Sequence, residues 1–270
     1  MPAALIHSPA AGPEKAQILI VHGLGEHQGR YDAVVRDLNA WGYGAWRFDL
    51  SGHGQAGGAR GDAAHSHALL EQCAVQIDAV RTHCPGQPLV LLGHSLGGLI
   101  ASRTVAGALR GEAFGRQPDF LVLSSPALDP GMNGGQKALL AVARRFFPHL
   151  AVSNGLKPEW VSRDPAVVQA YVADPLVHDR VTATVAAMVA DGGAEVIADA
   201  GRWVVPTLLL WAGADRCVSP GGSAAFAAAA SPAVVQRQCF AGLAHEIFNE
   251  PERDQVLAVL RAALDARFAG

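Results

Sequence analysis

The chain has 270 residues, half of them hydrophobic, and a formal net charge of −3. That length suits one α/β domain with room for an inserted subdomain, and the near-neutral charge gives no electrostatic case for a nucleic-acid partner. No run of about 18 apolar residues is available to span a membrane, and Met1–Lys15 lacks a basic start followed by an apolar block, so no secretory signal is expected.

In chain order, short apolar runs predict strands at Ala16–Val21, Gly44–Asp49, Pro88–Leu92, Phe120–Ser124, Thr207–Trp211 and Val234–Phe240. Helical patterns fall between and after them, at Tyr31–Trp41, Ala68–Cys84, Leu96–Leu109, Gly222–Ala230 and Glu252–Phe268. Leu69, Cys73, Ile77 and Val80 recur at i, i+4, i+8 and i+11, one stripe of an amphipathic helix. This alternation predicts a mostly parallel central sheet flanked by helices, with ligands at the carboxyl ends of the strands. The four cysteines carry no metal spacing, and Cys73 and Cys84 lie roughly 16 Å apart along one helix, too far to bridge. A reduced, cytoplasmic protein without a metal is expected.

Residues 126–205 break the rhythm. They hold no convincing core strand, only helical patterns at Lys137–Phe147, Asp164–Val172 and Thr182–Ile197 separated by prolines and glycines. The expected organisation is a core of residues 1–125 and 206–270 with a helical lid at 126–205. In Lys137–Phe147 the residues Leu139, Leu140, Ala143, Phe146 and Phe147 form an apolar stripe. Such a stripe packs on the main domain, or else lines an acyl pocket or touches a lipid surface transiently, as interfacial helices do.

The run Leu89–Leu92 ends in Gly93-His94-Ser95-Leu96-Gly97-Gly98 and resumes as a helix. Gly-x-Ser-x-Gly between strand and helix is the pattern of a nucleophile elbow, in which small residues let the two backbones approach and the serine stands at the strand's carboxyl end. A serine hydroxyl needs a base and an orienting acid to act as a nucleophile at neutral pH. The chain has eleven histidines, so position must select among them. His245 follows the last strand, in the order Ser…Asp…His, and is the expected base. Asp215, four residues past Trp211, is the expected acid, with Asp129 as the fallback one strand earlier. An oxyanion hole needs two preorganised N–H donors, worth about 2.7–4 kcal/mol where one has been removed. Leu96 supplies one, and Leu24, between Gly23 and Gly25 after the first long strand, supplies the other. His22 and His94 are expected to be structural.

The ordered set of motifs resembles the monoacylglycerol lipase and lysophospholipase type of serine hydrolase, within the α/β-hydrolase superfamily. It comprises His22-Gly23-Leu24-Gly25-Glu26-His27 with Arg30-Tyr31, Asp49-Leu50-Ser51-Gly52-His53-Gly54, Gly93–Gly98, Ser124-Ser125-Pro126, Tyr171, Asp174-Pro175, Gly213-Ala214-Asp215 and His245-Glu246 with Phe248-Asn249-Glu250. The family often carries a serine two residues beyond Gly-His-Gly, where this chain has Ala56. The resemblance implies an α/β-hydrolase fold and hydrolysis of single-chain lipid esters, foremost monoacylglycerols, through Ser95, Asp215 and His245 without a cofactor. It leaves open a lysophospholipase, a short-chain carboxylesterase or a thioesterase, and a non-catalytic binding protein of the same fold. Glu26 and Arg30 match polar positions that either support the oxyanion loop or contact a substrate head group. Oligomeric state is not indicated.

Overall fold

Side chains alternate between the two faces of a strand, and the central strands here carry apolar residues at both parities, so both faces of their sheet must be covered. The computed structural model describes residues 4–268. Its strands are β1 (Ile6–Ser8), β2 (Gln17–Val21), β3 (Gly44–Arg47), β4 (Leu89–His94), β5 (Phe120–Ser124), β6 (Val152–Ser153), β7 (Arg180–Val181), β8 (Thr207–Ala212) and β9 (Val235–Phe240). Seven form one sheet in the order β1-β3-β2-β4-β5-β8-β9, parallel except for β1, and β6 and β7 make a separate antiparallel pair.

The odd-numbered Leu19, Val21, Leu91, Leu121, Leu123 and Leu209 face one layer of helices: α2 (Ala68–His83), α3 (Leu96–Arg110), α6 (Ala183–Asp199) and α7 (Pro220–Ala229). The even-numbered Ile18, Ile20, Val90, Leu92, Leu208 and Leu210 face α1 (Asp32–Ala40) and α8 (Arg253–Phe268). The stripe read from the sequence of α2 is the face it buries: Leu69, Cys73, Ile77 and Val80 are at most 1 % exposed. Each large apolar side chain buried this way contributes about 1.5–3 kcal/mol over leaving it in water. In register, Gly93 pairs with Val21 and His94 with Ser124, so Ser95 emerges at the carboxyl ends of three adjacent strands.

Two features differ from the sequence expectation. β1 is an antiparallel edge strand with only Ile6 to mark it, too short and exposed to show a pattern. β9 buries only its two ends because it closes the sheet as an edge strand, and its Gln236-Arg237-Gln238-Cys239 centre faces outward.

Between β5 and β8 the chain forms α4 (Gly134–Phe146), β6, α5 (Pro165–Ala173), β7 and α6. α6 packs on α3, with Val185, Met188 and Val196 in the main core. There a Cβ at Gly193 would come 2.7 Å from the backbone carbon of Leu128. By contrast α4 buries no residue: Leu139 is 69 % and Phe146 66 % exposed, and Phe147 and Leu150 beyond it are equally bare. Leu140 and Ala143 of its apolar stripe are half-buried and the helix contacts α6, while the rest of the stripe stays bare. A capping box between Asn133 and Gln136 satisfies its first amides.

Candidate active site

The turn after β4 holds Ser95 at φ 53°, ψ −119°, a left-handed region that residues with a Cβ rarely occupy. Surrounding contacts over-determine that strain. Ser95 N–H donates to Ser124 O at 3.0 Å, and its carbonyl accepts from Leu99 and Ala127 amides at 3.0 and 2.9 Å. The flanking glycines are required by space: a Cβ at Gly93 would lie 2.6 Å from the Gly97 carbonyl carbon, and one at Gly97 2.5 Å from His22 O.

Asp215 and His245 come from the loops after β8 and β9. His245 Nδ1 donates to Asp215 Oδ2 at 2.6 Å, while Asp215 Oδ1 accepts from the Cys217 and Val218 amides at 2.8 and 3.1 Å. An ionised carboxylate only accepts, so this bond puts the His245 proton on Nδ1 and leaves Nε2 as an acceptor. Burial pulls the His245 pKa down, but the charge and hydrogen bond of Asp215 outweigh it, helped by Glu246 and Glu26, and the net direction is upward. Asp129, the fallback acid, instead accepts from the Gly131 amide within its own turn.

Ser95, His245, Gly23 and Leu24 line one small cavity, and Leu156, Val161 and Tyr171 from the segment between β5 and β8 form its far side. A Cβ at Gly23 would sit 3.1 Å from the Ser95 Cβ, so only glycine lets the loop after β2 come this near. Leu96 opens α3, whose first amides have no partner within the helix. Among the described residues, neither the Leu24 nor the Leu96 amide donates to a protein acceptor.

The two histidines expected to be structural are bonded as such. His22 donates from Nδ1 to Gly23 O at 2.8 Å and accepts at Nε2 from the Leu50 amide at 3.0 Å. His94 Nδ1 bonds Ser124 Oγ at 3.0 Å, and burial, with the nearby His245, pushes its pKa down to about 4. Asp49 accepts from the Gln28 and Gln55 amides and so shapes the Gly52-His53-Gly54 turn. Cys217 lies in the cavity, its thiol pKa raised by burial and by the charge of Asp215, so it is not a ready nucleophile. Donor atoms of Asp215, Cys217 and His245 fall within 4.8 Å of one another, the spacing of a metal site. The Asp215 oxygens, however, are already occupied by His245 and two amides.

Glu26 and Arg30 sit beside this cavity. Glu26 accepts from Gly23 N–H at 2.5 Å, Tyr31 OH at 2.7 Å and Arg30 Nη1 at 2.9 Å. Burial raises the Glu26 pKa, but Arg30, His94, His22 and the Tyr31 hydroxyl bring it down to about 2. Two further ties use residues that stand in the motif set, Glu250, His27 and Asp174, but whose roles the motifs alone do not assign. Glu250, with its side chain fully buried, accepts from the Ala244 amide at 2.8 Å, Ser162 Oγ at 2.8 Å and Arg163 N at 2.6 Å. Asp174 bonds His27 Nε2 at 2.8 Å, and His178 N–H donates to Gly25 O at 2.8 Å. Both join the segment between β5 and β8 to the loops around Ser95.

The sheet order, the strained serine at the carboxyl end of β4 and the buried Asp–His pair define a serine hydrolase of α/β-hydrolase fold. The chain belongs to the family described as Serine aminopeptidase, S33, whose model matches residues 12–252. It is 31 % identical to a monoacylglycerol lipase of Mycolicibacterium smegmatis over 93 % of this chain and 88 % of that one. It is also 31 % identical to a phospholipase of Bacillus subtilis, over 93 % and 95 % of the two chains. The crystal structure of Paleococcus ferrophilus monoacylglycerol lipase superposes with a TM-score of 0.84 at 34 % identity, covering 97 % of this chain and 99 % of that one. No helix among the described residues is long and apolar enough to cross a membrane.

Proposed function

We propose that Ser95, His245 and Asp215 hydrolyse monoacylglycerols through an acyl-enzyme. His245 Nε2 takes the Ser95 hydroxyl proton as Oγ attacks the ester carbonyl, and Asp215 stabilises the resulting imidazolium. The Leu24 and Leu96 amides receive the developing oxyanion. Collapse of the tetrahedral adduct breaks the bond to glycerol, which leaves with the proton from His245. Water, deprotonated by the same imidazole, then attacks the acyl carbonyl and releases the fatty acid with Ser95 restored. The observation that carries this reading is the 2.6 Å Asp215–His245 bond, which leaves Nε2 an acceptor in the cavity of a serine held at positive φ.

Residues 126–205 form the lid in this reading. Leu156, Val161 and Tyr171 cover the serine, and the bare stripe of α4 meets a lipid surface transiently, with Lys137, Arg144 and Arg145 on the same helix. The four unpaired cysteines fit a reducing, cytoplasmic setting. A second reading, lysophospholipid hydrolysis, is supported by the Bacillus relative named a phospholipase at the same identity. The deciding experiment measures fatty-acid release from monoacylglycerols, diacylglycerols, lysophospholipids and p-nitrophenyl esters of several chain lengths, with Ser95→Ala as blank. Preference for monoacylglycerols supports the first reading and preference for lysophospholipids the second. Turnover confined to short activated esters overturns both substrate assignments.

A further inference from the structure

The charged cluster beside the cavity joins two loops far apart in sequence. Glu26 stands on the loop after β2, Glu246 directly follows His245, and Arg30 lies in the short 3₁₀ turn Gln28–Tyr31. Arg30 Nη1 donates to Glu26 Oε2 at 2.9 Å and to Glu246 Oε1 at 2.5 Å, while Nη2 donates to Glu246 Oε2 at 2.8 Å. The three side chains are only 6–10 % exposed. The Tyr171 ring of α5 covers the guanidinium, 4.7 Å from its centroid. The space among Glu26, Arg30, His94 and Glu246 is about 10 Å³, too small to admit a glycerol or phosphocholine head group.

Resting on the serine-hydrolase reading above, we propose that Arg30 is a positioning residue that ties the oxyanion loop to the histidine loop, with Tyr171 as its cover. Glu26 holds the Gly23 N–H, which fixes the peptide that leads into the Leu24 donor. Glu246 fixes the residue next to His245. A planar guanidinium grips both carboxylates at once, and the point charge of a lysine cannot reproduce that fork. The tie sets geometry at two catalytic groups together and touches neither the acyl chain nor the alcohol.

The test compares wild type, Arg30→Lys and Arg30→Met on a monoacylglycerol and on p-nitrophenyl butyrate, which has no glycerol. With loops displaced by about 1 Å, kcat falls about 10–100-fold in Arg30→Met on both substrates while KM stays near wild type. Arg30→Lys recovers part of that loss. Asp215, Glu246, Glu26, His94 and Cys217 face or neighbour His245. Removing the cation leaves Glu26 and Glu246 bare, so the acid limb of kcat/KM moves to higher pH in Arg30→Met and stays put in Arg30→Lys. A raised KM for the monoacylglycerol alone, with p-nitrophenyl butyrate turnover intact, makes Arg30 a head-group contact and overturns the proposal. So does a wild-type kcat in Arg30→Lys, which carries the test if Arg30→Met does not fold. Ser95→Ala run in parallel reports on the serine reading by itself: full turnover there sinks that reading whatever Arg30 does.

Discussion

Gly97→Ala tests whether the close approach of α3 to β2 sets the catalytic geometry. A Cβ at Gly97 would lie 2.5 Å from His22 O and nearer still to Val21 O, both backbone atoms with no side-chain freedom to yield. Ordinary contact needs about 1 Å more, so α3 must slide away from β2, carrying Ser95 and Leu96 away from the loop that bears Leu24. Overpacking of this kind costs about 1–3 kcal/mol, which for a chain of this length lowers Tm by roughly 2–5 °C. A displacement of about 1 Å between reacting groups costs about 10²-fold in rate. Differential scanning fluorimetry and p-nitrophenyl butyrate hydrolysis read the two effects separately. Gly134→Ala is the control, since its Cβ meets nothing within 4 Å at the start of exposed α4. Wild-type Tm and kcat in Gly97→Ala would refute the reasoning, because the backbone would then have absorbed the methyl group without moving the site.

Asp215→Asn loses the acceptor that fixes the His245 proton on Nδ1, and kcat falls about 10⁴-fold; steady-state rates checked against Asp129→Asn, expected to be near normal, assign the acid. Because the His245 pKa is raised, kcat/KM for wild type falls as pH drops through a value above 6.5, and an acid limb below 6.5 contradicts the Asp215 attribution. The same shift stabilises the fold fully below 6.5 and is lost as pH rises through the folded value. Glu26 runs the other way: with its pKa pushed down to about 2 from 4.5, its contribution is present above 4.5 and lost as pH falls toward 2. The Tm advantage of wild type over Glu26→Gln therefore shrinks across that window, and a constant gap in thermal melts argues against a buried ionised Glu26. Leu139→Asp with Phe146→Asp lowers activity on anionic vesicles and emulsions but not on dispersed p-nitrophenyl butyrate; equal loss on both would place α4 in the pocket.

Much of this architecture was legible because two periodicities act at once. Strands buried on both faces read as continuous apolar runs, such as Leu89–Leu92, and the helices that cover them read as stripes, such as Leu69–Val80. The elbow was legible for a steric reason. Gly93 and Gly97 flank Ser95 because backbone atoms occupy the places where their Cβ atoms would go. What stayed hidden depends on contacts between residues far apart in sequence. Nothing local marks Glu250 as the acceptor that joins the Ala244 amide to Ser162 and Arg163, or Asp174 as the partner of His27. For α4 the pattern was visible but its environment was not, since an amphipathic stripe has the same period whether a core or a lipid surface receives it.

Those hidden contacts divide the segment between β5 and β8 into parts of different freedom. α5 is held at both ends. Before it, Val161 O accepts from the Glu246 amide at 2.8 Å and Arg163 bonds Glu250; after it, Asp174 and His178 bond the loop of His27 and Gly25. Between these anchors Tyr171 rests on Arg30, the side chain that joins the same two loops from below. α6 is fixed by core packing against α3. α4 is held more lightly, just past its end: Pro148 O accepts from the Thr184 amide and hydroxyl of α6 at 3.1 and 2.9 Å, and His149 bonds Asp62 at 3.0 Å. Its ion pair to α6, Arg144–Asp191 at 3.0 Å, joins two exposed side chains and is worth at most about 1 kcal/mol. Leu156, Val161 and Tyr171 line the cavity at Ser95, and no residue of α4 does. Opening α5 would break ties to the histidine and oxyanion loops together and dismantle the geometry on which the chemistry depends.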